Sequence, residues 1–84
     1  MARRTYSGED VRKVLVNHGP FRVARIRGDH YILRWDPPDD HDSDARTVPV
    51  PDHDEIRTGT LREIGTQAGM KDFDEFLDWL DRNL

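Results

Sequence analysis

Between two runs of extended-type residues lies a two-residue break, Gly28-Asp29, and it constrains the fold more than any other feature of this chain. Phe21–Arg27 precedes it and His30–Trp35 follows, both rich in Val, Ile and aromatic residues. Such a Gly-Asp pair signals a hairpin, because tight turns between antiparallel strands need positive φ at one or both central positions. The turn then sets the pairing. Arg27 faces His30, Arg25 faces Ile32 and Val23 faces Arg34 on one side of the sheet. Ala24, Ile26, Tyr31, Leu33 and Trp35 share the other side, which is apolar enough to be the core face. His30 is therefore expected on the open face among Arg25, Arg27 and Arg34, where a slip of one residue would reverse the assignment.

The flanking sequence supplies what covers the hairpin. Ser7-Gly8-Glu9-Asp10 begins a helix with a capping-box-like start and an acidic first turn, and Val11, Val14 and Leu15 follow at helical spacing. Gly19-Pro20 ends that helix after His18. Thr47-Val48-Pro49-Val50 reads as a third strand, which Pro49 places at a sheet edge. Thr60-Leu61-Arg62-Glu63 is a second capping box, opening a helix with Leu61, Ile64 and Ala68 inward and Gly69 as its stop. Asp72 caps a last helix along the stripe Phe73, Phe76, Leu77 and Leu80. The order α-β-β-β-α-α, with helices on one face of a meander, predicts a small α+β sandwich. Residues 36–44 hold two prolines and five aspartates and are expected to form a solvated, mobile loop.

At 84 residues the chain is one domain, with most of its apolar residues needed for the core and little left for a large ligand cavity. With no cysteine it excludes a disulfide scaffold, a thiolate zinc site and a cysteine nucleophile. No apolar run follows the first residues, so neither a signal peptide nor a membrane span is expected, and the expected location is cytoplasmic. Only Lys13 and Lys71 are lysines, and aspartate far outnumbers glutamate, a surface suited to a salt-rich, halophilic cytoplasm. Charge is also unevenly placed. Residues 1–34 carry eight Lys/Arg against three Asp/Glu, a net +5, which leaves −9 for the other 50 of a chain whose net charge is −4. A basic first half in an acidic protein offers a polyanion a place to bind.

Of the four histidines, His18 ends a helix, where a cation is merely stabilising, and His41 lies in the acidic loop. His53 has Asp52, Asp54 and Glu55 beside it, but these lie too close in sequence to converge on a metal, and no metal-ligand spacing is present; no metal or cofactor is expected. His30 differs. Packing does not need it, and its unperturbed pKa of about 6.5 suits acid or base work near neutrality. Neighbouring arginines would hold phosphate oxygens and stabilise extra charge in a phosphorane-like transition state.

Several segments together resemble one family. Ser7–Leu15, Arg27-Gly28-Asp29-His30-Tyr31-Ile32-Leu33, Val48-Pro49-Val50-Pro51, and Gly59-Thr60-Leu61-Arg62-Glu63-Ile64 with Gln67-Ala68-Gly69 are similar to the HicA (YcfA-like) family, in the family's order, over roughly Ser7 to Gly69. The resemblance implies a double-stranded-RNA-binding-domain-like α-β-β-β-α fold as a single domain over 1–84, with 72–84 as a helical extension. It also implies a small toxin that cleaves mRNA and is paired with a HicB-like antitoxin, the free toxin being monomeric. The family's Gly-Ser-His places its catalytic histidine on His30, with Gly28 and Asp29 forming the turn that positions it. Asp29 departs from the family's serine. It serves equally in a turn but is unfavourable beside an RNA phosphate. The family often has a histidine after the third strand; His53 is a possible counterpart, and no role is carried over to it.

The mechanism implied is metal-independent cleavage through the RNA's own 2′-hydroxyl, with His30 removing that proton or protonating the leaving oxygen. Two other readings use the same basic face, namely a non-catalytic RNA-binding module and a protein-interaction domain for an acidic partner. Cleavage that depends on His30 selects the first reading, RNA binding without cleavage the second, and binding to an acidic protein without RNA affinity the third.

Overall fold

The computed structural model describes residues 5–39 and 44–84. Ser7 caps the first helix, α1 (Gly8–Asn17), by accepting the Asp10 N–H at 3.0 Å. Three strands follow, β1 (Arg22–Arg27), β2 (His30–Trp35) and β3 (Arg46–Pro51), in an antiparallel sheet of order β1-β2-β3. Two helices, α2 (Thr58–Gln67) and α3 (Phe73–Arg82), complete the chain. The architecture is the expected α+β order α-β-β-β-α with an added C-terminal helix. β3 is an edge strand, as Pro49 requires.

The core lies between the sheet and the helices. Leu33, Val48 and Val50 from the sheet meet Val11, Val14 and Leu15 of α1, Leu61 and Ile64 of α2, and Phe76, Leu77 and Leu80 of α3. Gly65 leaves room for the Phe76 ring, which a Cβ there would meet at 2.8 Å. α2 ends as predicted at Gly69, where φ is +95°. The Gly69 N–H donates to Thr66 O at 3.0 Å and the Met70 N–H to Gly65 O at 2.8 Å, the two bonds of a Schellman motif. Asp72 caps α3 through the Glu75 N–H at 3.1 Å.

Three local expectations need correction. The first concerns register. Arg27↔His30 and Arg25↔Ile32 pair as read from the turn, but a bulge between Val23 and Arg25 shifts the rest. Val23 therefore pairs with Leu33, and Arg22 takes the place opposite Arg34. The bulge inserts one extra residue, which turn chemistry at the far end of the strand does not reveal. The second concerns burial. Ala24 is exposed, Ile26 is 67% exposed and Val23 38%, while Tyr31 and Trp35 are only partly buried and Leu33 is wholly buried. β1 is the far edge of the sheet, and α2 packs on β3 instead, so much of the inner face of β1 stays open.

Third, the second capping box does not form. α2 starts at Thr58 with Arg57 as its N-cap and no side-chain cap bond. The buried Ile56, Leu61 and Ile64 set the phase of this helix, and Thr60 is left facing a cleft. Asp36, at the start of the acidic stretch 36–44, pairs with Arg22 at 3.2 Å and Arg34 at 2.8 Å. Residues 40–43 of that loop, with His41, lie outside the described residues. No helix among the described residues is long and apolar enough to cross a membrane.

Candidate functional site

The site grows from the hairpin turn. Gly28 has φ +59° and no other residue of the turn has positive φ, so glycine occupies the one position that needs it. The next residue, Asp29, is free to point its carboxylate along the sheet end. Its Oδ1 lies 2.8 Å from His30 Nδ1 and its Oδ2 lies 3.2 Å from His53 Nε2. One carboxylate thus bridges two imidazoles, one beside it in the turn and the other 24 residues along the chain from Asp29. A carboxylate only accepts, so each of these ring nitrogens carries the proton and donates it. That fixes both tautomers. Nε2 of His30 and Nδ1 of His53 are then the ring nitrogens that Asp29 does not engage.

The two hydrogen bonds, that from His53 foremost and then that from His30, hold the Asp29 carboxyl below its ordinary range. Asp29 is accordingly the fixed negative charge between the rings. The three side chains are about half exposed or more, so the cluster can be reached from solvent.

β3 and α1 bring His53 to this point. β2 and β3 pair His30 with Pro51, which puts the residues just beyond β3 beside the turn. The His53 carbonyl accepts the Gly8 N–H at 2.8 Å, at the start of α1. His30 and His53 both line an open cleft of about 500 Å³ together with Pro51, Glu55, Arg57 and Thr60. A smaller hollow of about 160 Å³ continues from His30 along Pro49 and α2, past Glu63 and Gln67. Among the described residues no three His, Asp or Glu side chains form a group that could hold a metal ion.

The expected arginines share the open face with His30, but they are not equivalent. Arg27 lies directly opposite His30 and Arg25 opposite Ile32. Arg34 binds Asp36 and also donates to Thr47 Oγ1 at 3.1 Å, and Arg22 joins the same carboxylate. Arg34, foremost, and Arg22 hold the Asp36 carboxyl below its ordinary range. These groups line a second hollow of about 430 Å³ with Arg25 and Ile32. Among the described ion pairs, none involves Arg25 or Arg27.

The sequence placed His30, Arg25, Arg27 and Arg34 on one face and Gly28 and Asp29 in the turn beside them, and the strand pairing arranges them so. Sequence reasoning missed Arg22, Arg57 and the approach of His53. A signal for His53 existed in principle, because an antiparallel third strand ending opposite His30 must deliver its next residues to the turn. The register that makes this so was not readable.

Two kinds of comparison bear on what the site belongs to. Residues 8–70 match a family model described as HicA toxin of bacterial toxin-antitoxin, a stretch that runs from the start of α1 to just past α2 and leaves out α3. No curated protein and no solved structure matches the chain.

Proposed function

Because the chain belongs to the HicA toxin family of bacterial toxin–antitoxin systems, with the antitoxin partner that such a system implies, we propose that it is an endoribonuclease acting on mRNA. The observation that carries this reading is His30 itself. It stands on a cleft wall, with its tautomer fixed by Asp29 and Arg27 directly across the strand pair. Nε2 of His30 transfers the proton, and the RNA's 2′-hydroxyl is the nucleophile, so the chemistry needs no metal. One positioned acid–base group of this kind is worth ~10²–10⁴ in rate. Arg25 and Arg27, which have no carboxylate partner among the described ion pairs, hold phosphates along the open face.

The partner is a HicB-like antitoxin that sets carboxylates against the same arginines, and the free toxin is a cytoplasmic monomer. The test is cleavage of an RNA oligonucleotide by purified protein. Wild type cuts it with or without chelator, His30→Ala does not, and replacing the 2′-hydroxyl at the cut site by hydrogen stops the reaction. RNA binding without cleavage by wild type would leave the non-catalytic RNA-binding module as the better reading.

A further inference from the structure

We infer that His53 is the second proton-transfer residue of this site, with Asp29 the positioning residue that holds both imidazoles. The inference rests on the endoribonuclease reading and extends it. Cleavage by the 2′-hydroxyl requires two proton movements. The 2′-oxygen forms its bond to phosphorus and gives up a proton. The bond from phosphorus to the 5′-oxygen breaks, and that oxygen receives a proton, leaving a 2′,3′-cyclic phosphate and a 5′-hydroxyl. A single histidine cannot be base and acid in the same step, whereas two that line one cleft can divide the work.

The geometry meets that need without any rearrangement of the fold. Both rings donate to the same carboxylate, at 2.8 and 3.2 Å, and both line the same cleft. Each therefore presents its other nitrogen for proton exchange. The backbone holds the pieces independently of the side chains. Asp52 N–H binds Asp29 O at 2.6 Å, and Gly8 N–H binds His53 O. The charged groups around the pair are Asp29 between the rings, Arg27 opposite His30, and Glu55 and Arg57 on the cleft wall. Nothing in the packing requires His53, whose side chain is 54% exposed.

The departure from the family's serine at this turn gains a physical reason. Serine can offer one hydroxyl, but a carboxylate has two oxygens and reaches both rings. An aspartate that would repel RNA phosphate is tolerated here because two imidazoles engage it.

The experiment compares wild type, His30→Ala, His53→Ala and His53→Gln on ordinary RNA. The same RNA is also made with sulfur in place of the 5′-bridging oxygen at the cut site, a leaving group that departs without protonation. On ordinary RNA each alanine variant is expected to be slower by ~10² or more. On the sulfur-bridged RNA one of the two, the variant lacking the acid, returns to near the wild-type rate, and the other stays slow. His53→Gln, whose amide still donates to Asp29 but transfers no proton, should be as slow as His53→Ala. For the positioning role, Asp29→Asn should lower kcat while KM holds or falls, since a charge that repels phosphate is gone.

If His53→Ala cuts ordinary RNA at the wild-type rate, or the glutamine variant restores it, the inference is overturned while the role of His30 stands. Failure of both alanine variants to recover on sulfur-bridged RNA also overturns it. A wild-type protein that cuts no RNA takes down the endoribonuclease reading, and this inference with it.

Discussion

The backbone N–H of Asp52 donates to the carbonyl oxygen of Asp29 at 2.6 Å, tying the chain just after β3 to the β1–β2 turn. The next residue, His53, accepts from Gly8 at 2.8 Å, so the start of α1 is bound to the same corner. Three segments distant in sequence converge on one sheet end. What is built there depends on tight backbone contact as much as on the side chains.

Gly8 tests that contact. A Cβ at this position would overlap the Pro51 carbonyl oxygen, which is backbone and has no flexible end to move aside. Gly8→Ala should destabilise the protein by at least the ~1–3 kcal/mol usual for overpacking, although alanine is the better helix former. Thermal or urea unfolding measures it, and an unchanged midpoint would contradict the close approach of α1 to β3.

His30 should carry activity and little stability. Its side chain is 44% exposed and reaches toward a cleft, so truncation opens no core cavity. His30→Ala is expected to unfold within ~0.5 kcal/mol of wild type, the usual range for surface substitutions. A large loss of stability in denaturant melts would instead make this histidine a structural residue.

The arginines should separate by function. Arg34 is already engaged by Asp36 and Thr47, whereas Arg27 faces His30 across the strand pair. Removing one phosphate contact to a single strand lowers the slope of log affinity against log salt by about 0.7. Arg27→Ala should show that loss in salt titrations of RNA binding, and Arg34→Ala a smaller one. Equal slopes for the two variants would mean that the Asp36 pair opens on binding.

Acid should weaken the Asp36 bridge in a defined direction. Its carboxyl is held below the ordinary value of 3.8 by Arg34 and Arg22, so the folded state binds the proton less readily than the unfolded chain. The resulting stability is fully present above that value and is lost as pH falls through and below it. The gap in melting temperature between wild type and Asp36→Asn should therefore be open at neutral pH and close in acid. A gap that widened on acidification would refute the sign. Because the groups are exposed, the gap should also shrink with added salt.

Salt should stabilise the whole chain. Residues 35–84 carry −9, and α3 alone holds four carboxylates, Asp74, Glu75, Asp78 and Asp81. Screening relieves their mutual repulsion, so the melting temperature should climb from dilute buffer to molar potassium chloride. A flat or falling curve would rule out the salt-adapted surface expected from the acidic, lysine-poor composition.

Local chemistry alone determined a good deal of this protein. Ser7, Gly28, Gly69 and Asp72 act through bonds and φ angles within a few residues of themselves, so the starts of α1 and α3, the hairpin turn and the α2 stop were legible. The pairs Arg27↔His30 and Arg25↔Ile32 lie next to the turn and inherited its register. Tertiary structure decided what lay farther from any turn. The bulge that substitutes Arg22 for Val23 opposite Arg34 leaves no local mark, and the phase of α2 follows buried Ile56, Leu61 and Ile64 rather than a capping pattern at Thr60. Above all, β3 is joined to β2 by a connection of ten residues, too long for turn chemistry to fix how the strands align. Packing of Val48 and Val50 into the core, together with the Asp52–Asp29 backbone bond, sets that alignment, and with it the meeting of His53 with Asp29.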